Sequence, residues 1–342
     1  MVNAKYEKFV REQYDELIRT NYMPHFRVLG SPNSAKAMLD GQEILILCAN
    51  NYLGLANHPE MKKAAIEAVE KWGAGMGTGR MIMTMAIQDE LEEKAAEFKS
   101  TEAALVYPTG YTANVGAVWS LMAEGDTIVS DELNHASIID GCRLARGTNR
   151  LIYKHLDMKD LETKLKESAK DRATGKTMII TDSVFSQDGD ICPLPEIVEL
   201  AEKHDAFVYI DDAHATGVLG KTGRGTVEHF NVYGRVEVQM GTLSKAIATC
   251  GGYVAGSKEL KYYLWRRSRT YCFSTGFPDP ATAGATLKAF EIIKKEPERV
   301  QRLWDNTRYF KKELEDLGFN TGISQTPITP VIVGTPEKAL QL

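Results

Sequence analysis

The chain has 342 residues, enough for one large α/β domain with appendages or for two domains. Its hydrophobic content of 43% and charged content of 25% are ordinary for a globular protein. The net charge of -5, with no long Lys/Arg block, argues against a general nucleic-acid binder. No apolar run reaches membrane-spanning length, and the charged start from Lys5 predicts no signal peptide. Five cysteines without a CxxC pair fit reduced thiols, so we expect a cytoplasmic protein.

The N-terminal segment has the pattern of an amphipathic helix. Residues 5–22 repeat apolar side chains at helical spacing, which predicts a helix that packs on another surface. The stripe consists of Tyr6, Phe9, Val10, Tyr14, Leu17 and Ile18. An apolar run at 44–48 predicts a strand. We assign residues 1–52 to an N-terminal helical arm.

Beyond this arm, predicted strands and helices alternate along the chain. The strand-like runs are 103–107, 127–130, 151–153, 178–182, 206–211, 236–241 and 252–256. The helical patterns are 59–72, 87–98, 111–122, 136–146, 158–170 and 194–203. Alternation at this spacing predicts an α/β fold with a mostly parallel sheet covered on both faces.

The pattern changes near the C-terminus. Two helices are predicted at 280–295 and 298–317, followed by a strand at 329–333 and the opening of a helix at 336–342. One strand and one short helix do not complete a packed layer. We therefore assign residues 53–285 to a large domain and 286–342 to a smaller C-terminal α+β domain that is incomplete in this chain.

One predicted strand ends on titratable residues. Asp211 is its last residue, and Asp212 and His214 follow. Open α/β sheets bind ligands at the carboxyl ends of their strands. A carboxylate there could hold the ring nitrogen of pyridoxal phosphate (PLP) protonated, so that the ring accepts electrons. A helix N-cap is the alternative role for Asp211, and a structural role for His214 stays open.

A lysine follows another strand-like run. Lys245 comes after Thr242-Leu243-Ser244 and before the small residues that lead to Gly251-Gly252. A lysine at this position could form a Schiff base with a carbonyl cofactor, and partial burial would lower its pKa. Elsewhere such a lysine is normally a solvated cation. Its position beside Asp211 favours a PLP site.

The segment 108–114 is a candidate phosphate site. It follows the strand at 103–107 and opens a helix, so its backbone N–H groups lie at a positive helix end. An ordinary strand–helix turn explains this segment equally well. Hydroxyl candidates for the same phosphate are Thr242, Ser274 and Thr275.

His135 ends a further strand, where a histidine can stack on an aromatic cofactor or cap a helix. The sequence alone does not decide between these two roles. The glycine-rich run 73–79 lacks the GxGxxG spacing and follows a predicted helix, which argues against a dinucleotide site.

Six segments in chain order make the sequence similar to the α-oxoamine synthase family of fold-type I PLP-dependent transferases. They are Asn50-Asn51-Tyr52-Leu53-Gly54-Leu55, 134–141, 181–190, Asp211-Asp212-Ala213-His214, 241–246 and Phe273-Ser274-Thr275. Because they span nearly the whole chain, the resemblance is highly specific.

The resemblance implies a role for each matching residue. Lys245 would form the internal aldimine, Asp211 would pair with the pyridinium nitrogen, His135 would stack on the ring, and His214 would bond its phenolic oxygen. Ser186 would lie beside the cofactor, and Asn50 would contact the substrate carboxylate. The phosphate would be held by Gly110, Tyr111 and Thr242, with Ser274 and Thr275 from the partner subunit of a homodimer.

The resemblance also implies a reaction between an amino acid and an acyl-CoA. Segments 209–214 and 228–236 are most similar to the glycine C-acetyltransferase branch, which favours glycine and acetyl-CoA. The alternative is the 8-amino-7-oxononanoate synthase branch, which takes alanine and pimeloyl-CoA with loss of CO2. A hypothesis of another class is an inactive, dimer-forming scaffold. Retention of Lys245, Asp211, His135 and His214 argues against it.

Overall fold

The computed structural model describes residues 3–20, 27–170 and 175–341. The chain divides into two compact units, Met1–Cys48 and Ala49–Leu342. The predicted boundary between a large and a small domain near residue 285 stays a prediction. Within the described ranges, no helix is long and apolar enough to cross a membrane.

The first unit contains one helix and one hairpin. Helix α1 spans Ala4–Arg19, and its N-cap Asn3 accepts hydrogen bonds from the N–H groups of Lys5 and Tyr6. Residues 21 and 22 of the predicted helix lie outside the described residues. Strands β1 (Lys36–Leu39) and β2 (Gln42–Leu45) pair antiparallel. The strand predicted at 44–48 corresponds to β2, which begins two residues earlier and ends at Leu45.

Every side chain of the predicted apolar stripe on α1 is exposed within this chain. The exposed fractions run from 41% for Leu17 to 62% for Tyr6. The helix itself is confirmed. The contacts described for α1 include no surface on which its apolar stripe packs.

The second unit is built on a seven-stranded sheet. Its strands are β3 (Ala103–Tyr107), β4 (Thr127–Asp131), β5 (Asn149–Tyr153), β6 (Thr177–Asp182), β7 (Ala206–Asp211), β8 (Val238–Thr242) and β9 (Gly252–Gly256). They lie in the order β3-β9-β8-β7-β6-β4-β5, and β9 alone runs antiparallel to its two neighbours. The predicted α/β fold with a mostly parallel sheet is confirmed.

Helices connect and cover these strands. They are α2 (Pro59–Trp72), α3 (Ala86–Lys99), α4 (Gly110–Leu121), α5 (Ala136–Leu144), α6 (Met158–Lys170), α7 (Leu194–Lys203), α8 (Thr226–Phe230), α9 (Lys258–Arg267), α10 (Arg269–Cys272), α11 (Pro280–Lys295), α12 (Glu298–Asp316) and α13 (Pro336–Gln341).

The sheet is buried on both faces. Alternate residues point to opposite faces of a strand, so Leu105 and Tyr107 pack with α4 and α5, while Ala104 and Val106 pack with α2, α3 and α11. On that second face, Val208 and Ile210 of β7 pack with α7. This three-layer arrangement explains why the strands are nearly continuous apolar runs.

The strand predicted at 329–333 is wrong. The segment is described, but it joins no ladder, and the N–H of Ile332 donates to the carbonyl of Asn320 instead. Pro330 has no N–H to donate to a neighbouring strand, which disfavours pairing. An apolar, β-branched run is therefore present here without forming a strand.

A buried ion pair anchors the end of β7. The Nζ of Lys99 lies 2.6 Å from Oδ2 of Asp212, and both side chains are completely buried. Asp212 also accepts hydrogen bonds from the N–H and hydroxyl of Thr226, and its own N–H donates to the carbonyl of Met240. The pair thus fixes the residue that follows Asp211.

We expect Lys99→Met to lower the free energy of unfolding by about 3–5 kcal/mol, because it leaves the Asp212 carboxylate buried without its partner. Urea unfolding followed by circular dichroism measures this change. The matched control is Lys63→Met, which removes the exposed pair between Lys63 and Glu67 and should change stability little. Equal midpoints for the two variants would contradict the anchoring role.

Candidate active site

A cavity of about 210 Å³ lies at the carboxyl edge of the sheet. Residues at or just after the ends of β3, β4, β6, β7 and β8 line this cavity. Open α/β sheets bind ligands at this edge. Its lining combines most of the residues singled out from the sequence with several that were not. They are Thr109, Gly110, Tyr111, Asn114, His135, Ser137, Asp182, Ser186, Asp211, Ala213, His214, Met240, Thr242, Ser244 and Lys245.

A second cavity of about 280 Å³ lies between α3 and α11. Three of its charged side chains pair with one another, since Glu97 forms salt bridges with Lys94 and Lys294. It holds none of the predicted site residues, so we assign the chemistry to the smaller cavity.

The N-terminus of α4 forms one wall of the site. Thr109 caps the helix by accepting a hydrogen bond from the N–H of Thr112. The N–H groups of Gly110 and Tyr111 have no acceptor inside the helix and lie at its positive end. A Cβ at Gly110 would lie 3.2 Å from the Thr242 hydroxyl, so the glycine keeps this cradle open. The arrangement suits a phosphate group.

Asp211 lies at the bottom of the cavity, where two donors hold its carboxylate. The side-chain amide of Asn114 donates to Oδ2 at 2.6 Å, and the N–H of Ala213 donates to Oδ1 at 2.8 Å. Asn114 itself accepts a hydrogen bond from the hydroxyl of Tyr209. Asp211 is not a helix N-cap, the alternative role considered from the sequence, because no helix begins directly after it.

Asp182 is a second buried carboxyl beside Asp211, and the sequence analysis missed it. The two residues are register partners at the ends of β6 and β7. Burial and the Asp211 charge raise the pKa of Asp182 well above its usual range. Burial also raises the pKa of Asp211, but Lys245, Asn114 and Ala213 oppose that effect. Since Asp211 has more donors, we assign the anion to Asp211 and the proton to Asp182.

Lys245 reaches the same cavity from the loop after β8. Burial lowers the pKa of its amine, and the carboxylates of Asp211 and Asp182 act against this shift. Within the described residues, its Nζ makes no hydrogen bond or salt bridge, which leaves the amine available to a ligand. A lower pKa makes the neutral amine easier to form, and a neutral lysine amine can act as a nucleophile and as a proton acceptor.

Two imidazoles lie around the lysine. The Nδ1 of His135 accepts a hydrogen bond from the N–H of Ser137, whose hydroxyl lies 2.7 Å away, so this histidine caps α5 as well as lining the cavity. The Nδ1 of His214 lies 2.8 Å from the hydroxyl of Tyr52. Burial lowers the pKa of His214 to about 3, and the nearby Lys245 and His135 add to this effect. His214 is therefore neutral at physiological pH.

The loop that carries Ser186 is held from outside the cavity. His155 lies between two carboxylates, with Nδ1 at 2.9 Å from Asp131 and Nε2 at 2.7 Å from Asp190. Burial lowers the pKa of His155, but the hydrogen bonds to both carboxylates outweigh it and raise the pKa above the usual value. The ring of His155 thus joins the end of β4 to the Ser186 loop.

Three predicted residues lie outside the cavity of this chain. Asn50 is exposed, although Tyr52 in the same segment contacts His214. Ser274 donates to the carbonyl of Thr270, and Thr275 is exposed and pairs with Gly79. Their roles stay predictions, and the expectation for Ser274 and Thr275 is a site in the partner subunit.

The comparisons with known proteins agree with this geometry. Residues 42–342 match the family model described as aminotransferase class I and II. The 8-amino-7-oxononanoate synthases of Thermoanaerobacter pseudethanolicus and Symbiobacterium thermophilum are each 54% identical, over 97% and 98% of this chain and 84% of theirs. The chain belongs to the α-oxoamine synthase family of PLP-dependent enzymes.

Solved structures of the family have the same fold. A serine palmitoyltransferase from S. paucimobilis with a bound PLP–myriocin aldimine superposes with a TM-score of 0.89 at 29% identity, covering 99% of this chain and 88% of that one. The 8-amino-7-oxononanoate synthase from Francisella tularensis gives 0.73 at 26% identity, covering 86% and 83%.

The residues of the cavity fit the cofactor of the α-oxoamine synthases. The helix end at Gly110 and the Thr242 hydroxyl suit its phosphate, the anionic Asp211 suits a protonated ring nitrogen, and the Lys245 amine suits its aldehyde. All three features line one cavity, and they remain compatible in charge because Asp182 holds a proton.

We expect PLP to give the protein a visible absorbance band that Lys245→Ala abolishes, since only a lysine amine forms the Schiff base. An absorbance spectrum before and after borohydride reduction measures this, with Lys258→Ala, at the start of α9, as the control. A protein that stays colourless with PLP would support the scaffold hypothesis instead.

Proposed function

We propose that this protein is an 8-amino-7-oxononanoate synthase, which condenses alanine with pimeloyl-CoA. The observation that carries the proposal is the set of curated relatives, which are 46–54% identical over nearly the whole chain and share this name. They favour this reaction over the condensation of glycine with acetyl-CoA that the sequence segments had placed first.

In the proposed reaction the new bond joins the alanine Cα to the thioester carbonyl carbon of pimeloyl-CoA. The C–S bond breaks to release CoA, and the alanine carboxyl group leaves as CO2. When bound, PLP supplies an electron-poor ring that accepts the electron pair left on Cα. The protein must therefore orient the ring, remove a proton from Cα and exclude water.

The cavity residues divide this work among them. With PLP bound, the anionic Asp211 would keep the ring nitrogen protonated, and His135 would stack on the ring. The Lys245 amine, whose pKa is lowered by burial, accepts the Cα proton and can return it. Gly110, Tyr111 and Thr242 hold the phosphate, and Ser186 lies beside the substrate. Asn50, which is exposed outside the cavity of this chain, is the proposed contact of the substrate carboxylate.

We further propose a homodimer in which each site takes Ser274 and Thr275 from the partner subunit. Two observations support it. Neither residue lines the cavity of its own chain, although both belong to a segment that matches the family. The apolar stripe of α1 is also exposed in the isolated chain, as expected for a surface that a second subunit covers.

We expect alanine with pimeloyl-CoA to give the highest kcat/KM among four pairings of alanine or glycine with pimeloyl-CoA or acetyl-CoA. A site fitted to the alanine methyl group should prefer alanine by roughly 10–200-fold. Thiol release and CO2 release, measured together, follow the reaction, and Lys245→Ala is the control. CoA release from glycine and acetyl-CoA without CO2 would restore the first hypothesis.

We expect Lys245→Ala and Thr275→Asp to complement each other in mixed dimers. Each variant alone should be inactive, the first without its amine and the second with a negative charge against the phosphate. After unfolding and refolding of an equimolar mixture, about one quarter of the sites combine both intact residues. No recovery of CoA release in the mixture would place Thr275 in the same subunit's site or outside it.

A further inference from the structure

The contact between Tyr52 and His214 joins two segments that are 162 residues apart in the chain. The hydroxyl oxygen of Tyr52 lies 2.8 Å from Nδ1 of His214, and the two rings meet edge to face with their centroids 6.2 Å apart. Tyr52 also packs against the buried cores around Leu53 and Val218. The ring is thus fixed by packing, and its hydroxyl points at one nitrogen of the cavity histidine.

The direction of this hydrogen bond follows from what else the two groups can reach. The Tyr52 hydroxyl has one proton, and His214 Nδ1 is its sole hydrogen-bond partner in the described part of the chain. If Nδ1 carried the proton instead, the Tyr52 O–H would be a donor without an acceptor, which is unfavourable in a partly buried site. Burial raises the pKa of Tyr52, so the hydroxyl keeps its proton. Tyr52 therefore donates, and Nδ1 accepts.

We propose that Tyr52 is a positioning residue that holds His214 in the tautomer protonated at Nε2. A neutral imidazole carries one proton, so an acceptor role at Nδ1 requires an N–H at Nε2. Nε2 is the nitrogen left to donate to a ligand, and the family resemblance implies the ring oxygen of the cofactor as its acceptor. The last step rests on the proposed role of His214, whereas the tautomer does not.

The neighbouring imidazole offers a comparison within the same site. The backbone N–H of Ser137 donates to Nδ1 of His135, so that ring is also an acceptor at Nδ1. A backbone donor cannot be removed by changing a side chain, whereas Tyr52 acts through its hydroxyl alone. Tyr52→Phe keeps the packed ring and removes one oxygen, which makes it a selective test.

The first measurement uses the protein without cofactor. In protein labelled with ¹⁵N in histidine, the imidazole nitrogen shifts report which nitrogen is protonated, and His214→Gln assigns the resonances. We expect His214 to be protonated at Nε2 in the wild type and to become a mixture of tautomers in Tyr52→Phe. The control is Tyr263→Phe, which removes a hydroxyl that donates to the carbonyl of Ser120 outside the cavity. Unchanged His214 shifts in Tyr52→Phe would overturn the proposal.

The second measurement adds PLP and records its visible absorbance as a function of pH. With fewer molecules donating from Nε2, the ring oxygen becomes more basic, and the midpoint should move upward by roughly 0.5–1 pH unit. The midpoint in Tyr263→Phe should stay at the wild-type value. If the tautomer changes but the midpoint does not, His214 does not donate to the ring oxygen. If the wild type gives no visible band, the proposed function fails while the tautomer result stands.

Discussion

The hydrogen bond from the Asn114 amide to Asp211 connects most of the cavity. At 2.6 Å it holds the carboxylate that we propose pairs with the ring nitrogen, and the same amide nitrogen donates to the hydroxyl of Ser137 at 2.9 Å. Ser137 in turn contacts His135, and Asn114 accepts from Tyr209. One buried side chain on α4 thus links this helix, the Asp211 carboxylate and His135. Such a network is favourable only when every member is satisfied, so the contributions of its residues to stability are coupled.

Charge is the second constraint on the site. Two carboxyl groups side by side in a buried position cannot both be ionised without a large cost. The proton on Asp182 removes this conflict, and its carboxyl still accepts the N–H of His135 at 2.6 Å. In the proposed function, the remaining anion, Asp211, is matched to the protonated ring nitrogen of the cofactor. Burial lowers the pKa of the Lys245 amine beside it.

Much of the fold followed from the alternation of apolar runs and helical patterns. All seven strands of the large sheet were predicted within about two residues, because each has a distinct apolar run and all but the edge strand β5 are largely buried on both faces. The prediction of a strand at 329–333 was wrong because an apolar run does not show whether a partner strand exists. The helices α9 and α10 were missed, since Arg266 and Arg267 interrupt the apolar pattern there.

The site residues that stand at or after the end of a strand could be predicted from the sequence. Gly110, His135, Ser186, Asp211, His214, Thr242 and Lys245 all line one cavity, as parallel strands bring their carboxyl ends to one edge. Asp182 carried the same signal as Asp211, a carboxylate at a strand end, and could have been found. Asn114 and Tyr52 could not, because an amide inside a helix and a tyrosine in a loop acquire their roles only from tertiary contacts.

The antiparallel direction of β9 has a consequence for motion. Because β9 starts at the edge where β8 ends, the lysine lies on a turn closed at both sides, with the N–H of Leu243 donating to Gly251 and that of Thr249 donating to Leu243. The backbone of this turn has no free end to swing. In the proposed reaction the Lys245 amine acts at more than one step, so it changes position by rotation about its own side-chain bonds. Larger rearrangements then involve segments outside the sheet.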